Sequence, residues 1–216
     1  MNNTQLIYEI DSLMNDFTKN KSRITSLVRG LKIDTNLANA ILYSGPPMHR
    51  EHRFELFLIL LDECCNLKYD YKLAYDIFRE AYMMTDNIYS QIQRSNTLFD
   101  IANYITMLRS NINIESAMQL HELNFYNSLN DNITIYRGLS NAEKDSNKLG
   151  ISWTIDSKRA EKYVFYTKNN VAGTYGWIAS TTLPKNNILT IFGIKGQDCE
   201  IIVQPSFQNV QFKQYP

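Results

Sequence analysis

A change of pattern near Asn130 constrains the fold of this chain more than any other feature. Before that point apolar residues recur at helical spacing, and the segment RFELFLILLDECCNL at Arg53 to Leu67 is apolar on most faces. Such a segment predicts a helix that is buried centrally. Other residues at helical spacing predict further helices, and they are Leu73, Ile77, Phe78, Ala81, Tyr82, Leu98, Ala102, Ile105 and Leu108. One more helix is predicted through Ala117, Leu120, Asn124 and Phe125, with Asn113 as its N-cap.

After Asn130 the chain consists of short β-branched or aromatic runs separated by Gly, Asn, Pro and Lys. These runs predict strands at 133–136, 150–154, 175–181, 188–192, 200–204 and 210–212. In this half only Ser157 to Val164 has a helical pattern, with Asp156 as N-cap. We therefore predict an α+β fold, with a helical region at 1–130 and a mostly β region at 131–216, packed as one unit.

Composition indicates a globular protein of the cytoplasm without a membrane partner. Among 216 residues, 22 Lys and Arg balance 22 Asp and Glu, so net charge does not point to nucleic acid or membrane. The start of the chain has no signal-peptide pattern, since Glu9 and Asp11 interrupt the apolar residues there. No apolar run in the chain approaches 18 residues. Cys64, Cys65 and Cys199 are too few for a disulfide framework, and we expect them to be buried thiols.

Several predicted strands carry polar residues at or near one end. Because side chains two apart in a strand face the same side, Asp198 and Glu200 are expected to project together. Ser152 and Thr154 obey the same rule, with Trp153 turned away. Arg137 has the parity of Ile133 and Ile135, and it is expected at the end of a core-facing row.

These polar residues occur in short motifs that resemble a known family. The motifs are YRG at 136–138, SWT at 152–154 followed by Asp156 and a helix with Ala160, and DCE at 198–200. Their order resembles the signature of mono-ADP-ribosyltransferases of the arginine-serine-glutamate class, found in bacteria and phages. The resemblance covers roughly residues 130 to 205 and implies the split β-sandwich of that family. SWT replaces the family's Ser-Thr-Ser, and Asp198 replaces the Glu or Gln that usually precedes the last glutamate by two residues.

The resemblance implies roles in the cleavage of NAD, the family's substrate. That reaction passes through an oxocarbenium-like centre, and a carboxylate bound to the ribose 2'-hydroxyl stabilises it. Glu200 is expected to do this, and Ser152 to position Glu200 or the nicotinamide ribose. Arg137 is expected to bind the pyrophosphate, because a planar guanidinium binds two oxygens at once. Asp198 would meet the acceptor, where its shorter side chain puts its reach in question.

The remaining implied contacts concern the dinucleotide. An aromatic ring is expected to stack on nicotinamide, and Tyr163 is our first choice, with Tyr136 and Trp177 as alternatives. Gly138, Trp153 and Thr154 are expected to line the NAD site beside Arg137 and Ser152. A Rossmann mode of binding is not expected, because GTYGW at 173–177 does not lead from a strand into a helix and the chain has no Walker loop.

The leading hypothesis is therefore a mono-ADP-ribosyltransferase that acts on a protein or a nucleic-acid base. By analogy with the family, the setting would be a toxin of a toxin-antitoxin system, a phage-defence protein or a phage effector, with an antitoxin or inhibitor protein as a partner. Two alternatives stay open: an NAD glycohydrolase that uses water as acceptor, and a non-enzymatic binding module. No metal is expected, because His49, His52, Cys64 and Cys65 do not have a zinc-ligand spacing.

Overall fold

The computed structural model describes residues 1–45, 52–85, 100–145, 149–169, 176–193, 199–204, 207 and 209–215. Helices and small antiparallel sheets together confirm that the chain is mixed α and β. It divides into two compact units, Met1–Asp100 and Ile101–Pro216. The change from helix to strand follows 130, as the sequence pattern predicts, but the compact units divide earlier. The helices between Ile101 and Ser128 therefore belong to the same unit as the strands.

The first unit is helical. Its helices are α1 (Asn3–Met14), α2 (Phe17–Val28), α3 (Thr35–Leu42), α4 (Arg53–Glu63) and α5 (Tyr71–Met83). Side chains of Asn or Asp cap the first backbone N–H groups of four of these helices, and the capping residues are Asn2, Asp16, Asp34 and Asp70. These short polar residues determine where the helices begin, since an N-cap satisfies a donor that the helix leaves unpaired.

Helix α4 confirms the predicted central helix. Phe54 and Phe57 are fully buried, and their rings lie 6.2 and 5.7 Å from the ring of Phe78 on α5. The helix ends at Glu63 rather than near Leu67, because the backbone of Cys64 is extended. Cys64 is buried as expected, but the prediction for Cys65 is wrong: the chain has left the helix there and Cys65 is exposed.

The second unit combines helices with all the described strands. Its helices are α6 (Ile101–Asn111), α7 (Ile114–Ala117), α8 (Leu120–Ser128), α9 (Asn141–Asp145) and α10 (Ser157–Asn169). Its strands are β1 (Asn132–Ser140), β2 (Ser152–Trp153), β3 (Gly176–Pro184), β4 (Ile188–Phe192), β5 (Glu200–Val203) and β6 (Gln211–Tyr215). A short 3-10 helix, Lys185–Asn187, joins β3 to β4.

The predicted elements of this unit are confirmed in the described residues, with some changes of boundary, while Leu98 and Tyr175 lie outside those residues. Asn113 and Asp156 accept hydrogen bonds from the N–H groups of Ser116 and Lys158, as N-caps do. The helix predicted through Ala117 and Leu120 is two helices, α7 and α8. The expectation of one helix in the β half is wrong, because α9 forms there too, and it is too short to show periodicity.

The described strands form two antiparallel sheets of three, in the orders β1-β3-β6 and β2-β5-β4. An isolated bridge connects them: the backbones of Tyr136 on β1 and Thr154 exchange hydrogen bonds of 2.7 and 2.9 Å. Thr154 directly follows β2, and β2 pairs with β5. Strands β1, β2 and β5 are therefore consecutive neighbours in space, although Glu200 on β5 lies far from Arg137 on β1 in the sequence.

Helices cover these sheets at close range. A Cβ on Gly138 of β1 would lie 2.2 Å from the carbonyl oxygen of Ala160, so α10 packs with its backbone almost on the strand. Helices α6 and α8 contact β4. Nη1 of Arg109 on α6 donates to the carbonyl oxygens of Ile188 and Leu189, where the register of β4 shifts. In the described residues, no helix is long and apolar enough to cross a membrane.

Candidate active site

Arg137 lies on the core side of β1. Its side chain projects from the same face of the strand as those of Ile133, Ile135 and Leu139, whereas Tyr136 and Gly138 belong to the opposite face. The parity prediction is confirmed, but Arg137 is not at the end of the row, because β1 continues to Ser140. Its side chain is 19% exposed, while the apolar members of the row are buried. A guanidinium in this position is partly desolvated and still open to solvent.

Two groups of the chain orient the guanidinium. Nη1 of Arg137 donates to the carbonyl oxygen of Ser152 at 2.7 Å, and Nε donates to Oε1 of Glu143 at 2.8 Å. Glu143 belongs to α9, where its backbone N–H donates to Oγ of Ser140 at 3.2 Å. The pattern Ser-x-x-Glu at 140–143 is a signal of a helix start, and it could have revealed α9.

Ser152 opens the two-residue strand β2 and pairs with Ile202 of β5. Its side chain is partly exposed, whereas Trp153 is 2% exposed and faces the other side. Directly opposed residues of antiparallel strands project to the same face, so Ser152 and Ile202 share a face. Glu200 has the parity of Ile202 and shares that face too.

Glu200 is the first residue of β5 and pairs with Phe192 of β4. It is partly exposed, while Ile201, Ile202 and Val203 are fully buried. Because Ser152 opposes Ile202, Glu200 is its diagonal neighbour, about 7–8 Å away between Cα atoms in a regular antiparallel pair. The structure thus brings Ser152 and Glu200 to one face. Asp198 lies outside the described residues.

The chain that leads toward Glu200 is fixed at Gly193. His121 and Glu122 on α8 contact both backbone groups of Gly193: the carbonyl oxygen lies 2.9 Å from Nε2 of His121, and the N–H donates to Oε1 of Glu122 at 3.0 Å. Glu122 is fully buried, and its Oε2 accepts from the N–H of Gln119 at 2.9 Å. Sequence reasoning missed these residues, since nothing in the local pattern distinguishes them from ordinary residues of a helix.

The three aromatic candidates have different surroundings. Tyr163 on α10 is 49% exposed, whereas Tyr136 packs against a buried cluster of Ala160, Val164 and Ile178. Trp177 on β3 is partly exposed, and its ring is held in place by α9. There, Nε1 donates to Oδ1 of Asn141, and Nζ of Lys144 lies 4.0 Å from the ring centroid. Of the three, Tyr163 presents the most open ring for stacking.

The other residues expected at the NAD site make contacts within the protein. Gly138 permits the close approach of α10, and Nε1 of Trp153 donates to the carbonyl oxygen of Gly150 at 2.9 Å. Thr154 is 4% exposed, and its Oγ1 accepts from the N–H of Asp156 at 3.1 Å. These contacts shape the strands beside Arg137 and Ser152.

Metal ligation finds no support in the part of the chain that the structure describes, where no group of three or more His, Cys, Asp or Glu residues could hold an ion. Comparison with models of protein families, with curated proteins and with solved structures found no match for this chain.

Proposed function

We propose that this chain is a mono-ADP-ribosyltransferase that cleaves NAD and transfers ADP-ribose to a macromolecule. One observation carries the proposal: β1, β2 and β5 are consecutive neighbours and carry Arg137, Ser152 and Glu200. The guanidinium of Arg137 contacts the backbone of Ser152, and Ser152 shares a face with Glu200. Neighbouring strands thus carry the three residues, which supports the proposal. The guanidinium of Arg137 reaches Ser152 through its backbone carbonyl, because the Tyr136–Thr154 bridge aligns the side chain of Ser152 with Tyr136 rather than with Arg137. The two small sheets would be the halves of the family's split sandwich.

Each residue has a role in this proposal. Glu200 accepts a hydrogen bond from the ribose 2'-hydroxyl, and this bond strengthens as positive charge develops when nicotinamide departs. Arg137 binds the pyrophosphate with its planar guanidinium. Ser152 holds the nicotinamide ribose against Glu200, and Tyr163 stacks on the nicotinamide ring. The resemblance implies that Asp198 would meet the acceptor, which is a protein side chain or a nucleic-acid base.

The residues present fit a dinucleotide substrate in chemistry. Arg137 supplies a cation, Ser152 a hydroxyl and Glu200 a carboxylate, and all three are partly exposed. Strand β5 continues into the core behind Glu200, which restricts the motion of its backbone. Such preorganisation is what electrostatic stabilisation of a transition state requires. By analogy with the family, the protein would act in the cytoplasm as a toxin, a phage-defence protein or a phage effector, with an antitoxin or inhibitor as partner.

A second candidate, a non-enzymatic binding module, is favoured by one specific observation. The guanidinium of Arg137 donates to Glu143 and to the backbone of Ser152, so it also connects β1, α9 and β2. A connection of this kind would be kept in a protein that retains the transferase shape without its chemistry.

Labelled NAD tests the proposal. Purified protein is incubated with NAD labelled in the adenylate part and a cell lysate, and the products are digested separately with protease and nuclease. We expect label on a macromolecule and release of nicotinamide. We also expect Glu200→Gln to lower NAD cleavage by about 10²- to 10³-fold, as loss of one transition-state stabiliser does.

Glu115→Gln is the matched control, because this glutamate belongs to the same unit and pairs with Arg109 at 3.6 Å, outside the candidate site. It should retain the activity of the wild type. Label that survives nuclease but is lost with protease identifies a protein acceptor. Label that survives protease but is lost with nuclease identifies a nucleic-acid acceptor. Release of nicotinamide without labelled macromolecule identifies a glycohydrolase. A protein that does not cleave NAD, or a Glu200→Gln variant as active as the wild type, contradicts the proposal.

A further inference from the structure

One carboxylate oxygen of Glu143 holds two parts of the candidate site together. Oε1 accepts from Nε of Arg137 at 2.8 Å and from the backbone N–H of Gly150 at 2.9 Å. Arg137 is on β1, whereas Gly150 lies just before β2. With its side chain 22% exposed, Glu143 is shielded enough for a charge-assisted bond to retain most of its strength. Glu143 therefore connects the cation of the site to the approach of β2.

Gly150 stands directly against the guanidinium. A Cβ built on Gly150 would lie 2.4 Å from Nη2 and 2.7 Å from Cζ of Arg137. The peptide groups around Gly150 are fixed as well, since its N–H donates to Glu143 and its carbonyl accepts from Nε1 of the buried Trp153. Any side chain at position 150 would push the guanidinium out of its position.

The carbonyl of Ser152 completes the arrangement from another direction. It accepts from Nη1 at 2.7 Å, so the guanidinium is held at Nε and Nη1 while Gly150 packs beside Nη2. Two bonds to different nitrogens of a planar group determine both its position and the orientation of its plane. An arginine held in this way loses little conformational entropy when it binds an anion.

We propose that Glu143 is the positioning residue of Arg137, which it holds in the orientation that presents the guanidinium to the pyrophosphate of a dinucleotide. This inference rests on the proposed function for its ligand. The hydrogen bonds that carry it belong to the protein alone. Glu143 does not touch the substrate, and its effect on NAD passes through Arg137 and Gly150.

The first measurement concerns the protein without a ligand. In ¹⁵N-labelled protein, the Nε–H signal of Arg137 is assigned by its loss in Arg137→Lys, and its exchange with solvent is measured. We expect Glu143→Ala to speed this exchange by about 10- to 100-fold, the equivalent of one hydrogen bond to a charged group. Glu143→Gln keeps an acceptor without the charge, so its exchange rate should lie between those of the wild type and Glu143→Ala. Glu115→Ala, the matched control, should leave the exchange of Arg137 unchanged.

The second measurement compares two ligands by calorimetric titration. ADP-ribose contains the pyrophosphate, and adenosine does not. Glu143→Ala should raise the Kd for ADP-ribose about 10-fold or more and leave the Kd for adenosine unchanged, since only a pyrophosphate contact depends on Arg137. Gly150→Ala should act in the same direction, because its Cβ displaces the guanidinium. A general loss of structure would raise the Kd for both ligands together.

The outcomes separate the two proposals. If Glu143→Ala and Glu143→Gln leave the exchange of Arg137 Nε–H at its wild-type rate, the positioning role is wrong, whether or not the protein binds or cleaves NAD. If exchange accelerates but wild-type protein binds neither NAD nor ADP-ribose, the proposed function is wrong and Glu143 is a structural partner only. If Glu143→Ala does not fold, Glu143→Gln decides by the same two measurements.

Discussion

Two buried carboxylates, one in the helical unit and one in the sheet unit, have different kinds of partner. Glu55 on α4 is 5% exposed, and its partners are side chains: Nζ of Lys21 at 3.5 Å and Nδ1 of His52 at 3.3 Å. Glu122 on α8 is fully buried, and its oxygens accept from the backbone N–H groups of Gln119 and Gly193.

The physical reason for the difference lies in the backbone. Helices satisfy most of their own N–H and C=O groups, so the helical unit leaves fewer of them for charged side chains, although the buried Arg53 donates to the carbonyl oxygen of Met84. Short strands end early and leave backbone groups that other elements must satisfy. Glu122 and Arg109 do this for the ends of β4, and Arg137 does it for Ser152. Charged residues of the sheet unit are thus part of its architecture, and the candidate site belongs to the same network.

The largest effect on stability is expected from Glu122→Ala. The change leaves the buried N–H of Gly193 and the part-buried N–H of Gln119 without this acceptor, at about 1–3 kcal/mol for the buried donor, and it also opens a cavity. We expect the free energy of unfolding to fall by about 3 kcal/mol or more. Both tryptophans, Trp153 and Trp177, lie in the sheet unit, so urea unfolding followed by tryptophan fluorescence reports on this unit. Glu115→Ala, the matched control, should lose at most about 1 kcal/mol. Equal losses for the two variants would contradict the comparison.

A smaller effect is expected from Glu55→Gln in the helical unit. Breaking a fully buried pair costs about 3–5 kcal/mol, but here Lys21 is 34% exposed and water can solvate its ammonium group after the change. We therefore expect a loss of about 1–2 kcal/mol in urea unfolding followed by far-UV circular dichroism. Glu9→Gln removes the exposed pair with Arg23 in the same unit, and it should cost no more than about 1 kcal/mol. A loss for Glu55→Gln as large as that for Glu122→Ala would remove the distinction between the units.

The smallest effect concerns pH and Cys64. Burial, with the nearby charges of Cys65 and Glu63, raises the pKa of the Cys64 thiol to about 12. The unfolded thiol has a pKa of about 8.5, so above that pH the unfolded state loses a proton that the folded state keeps. Stability therefore falls as pH rises from about 8.5 toward 12, with a slope of up to about 1.4 kcal/mol per pH unit. Below about pH 7 the thiol contributes almost no pH dependence.

Cys64→Ala tests this expectation. We expect the difference in unfolding free energy between wild type and Cys64→Ala to change by about 1 kcal/mol between pH 8 and 9.5, measured in urea with a reducing agent. Cys65→Ala should retain a pH dependence in the same direction as the wild type, because the burial of Cys64, the largest cause of its raised pKa, remains. Parallel pH profiles for wild type and Cys64→Ala would show that the buried thiol does not titrate differently on folding.

Local patterns were enough to predict much of the architecture. Residues close in sequence were enough to predict the helical first part, the positions of the strands along the chain and the N-caps at Asn113 and Asp156. Periodicity and capping depend on neighbours within a few positions. The motifs also supplied Arg137, Ser152 and Glu200 as residues that could form one site. Boundaries were less certain, since pairing with a partner strand decides where a strand such as β1 ends.

What the sequence by itself determined is therefore the type of each element and the parity of its side chains, since both follow from local geometry. Only the tertiary structure decided which strands are neighbours, since the Tyr136–Thr154 bridge places β2 between β1 and β5. It alone also revealed the contacts of Glu143 and Gly150 with Arg137, and that of Glu122 with Gly193, because no sequence pattern marks these pairs. The orientation of Arg137 depends on such contacts, because a long flexible side chain takes its direction from what binds it.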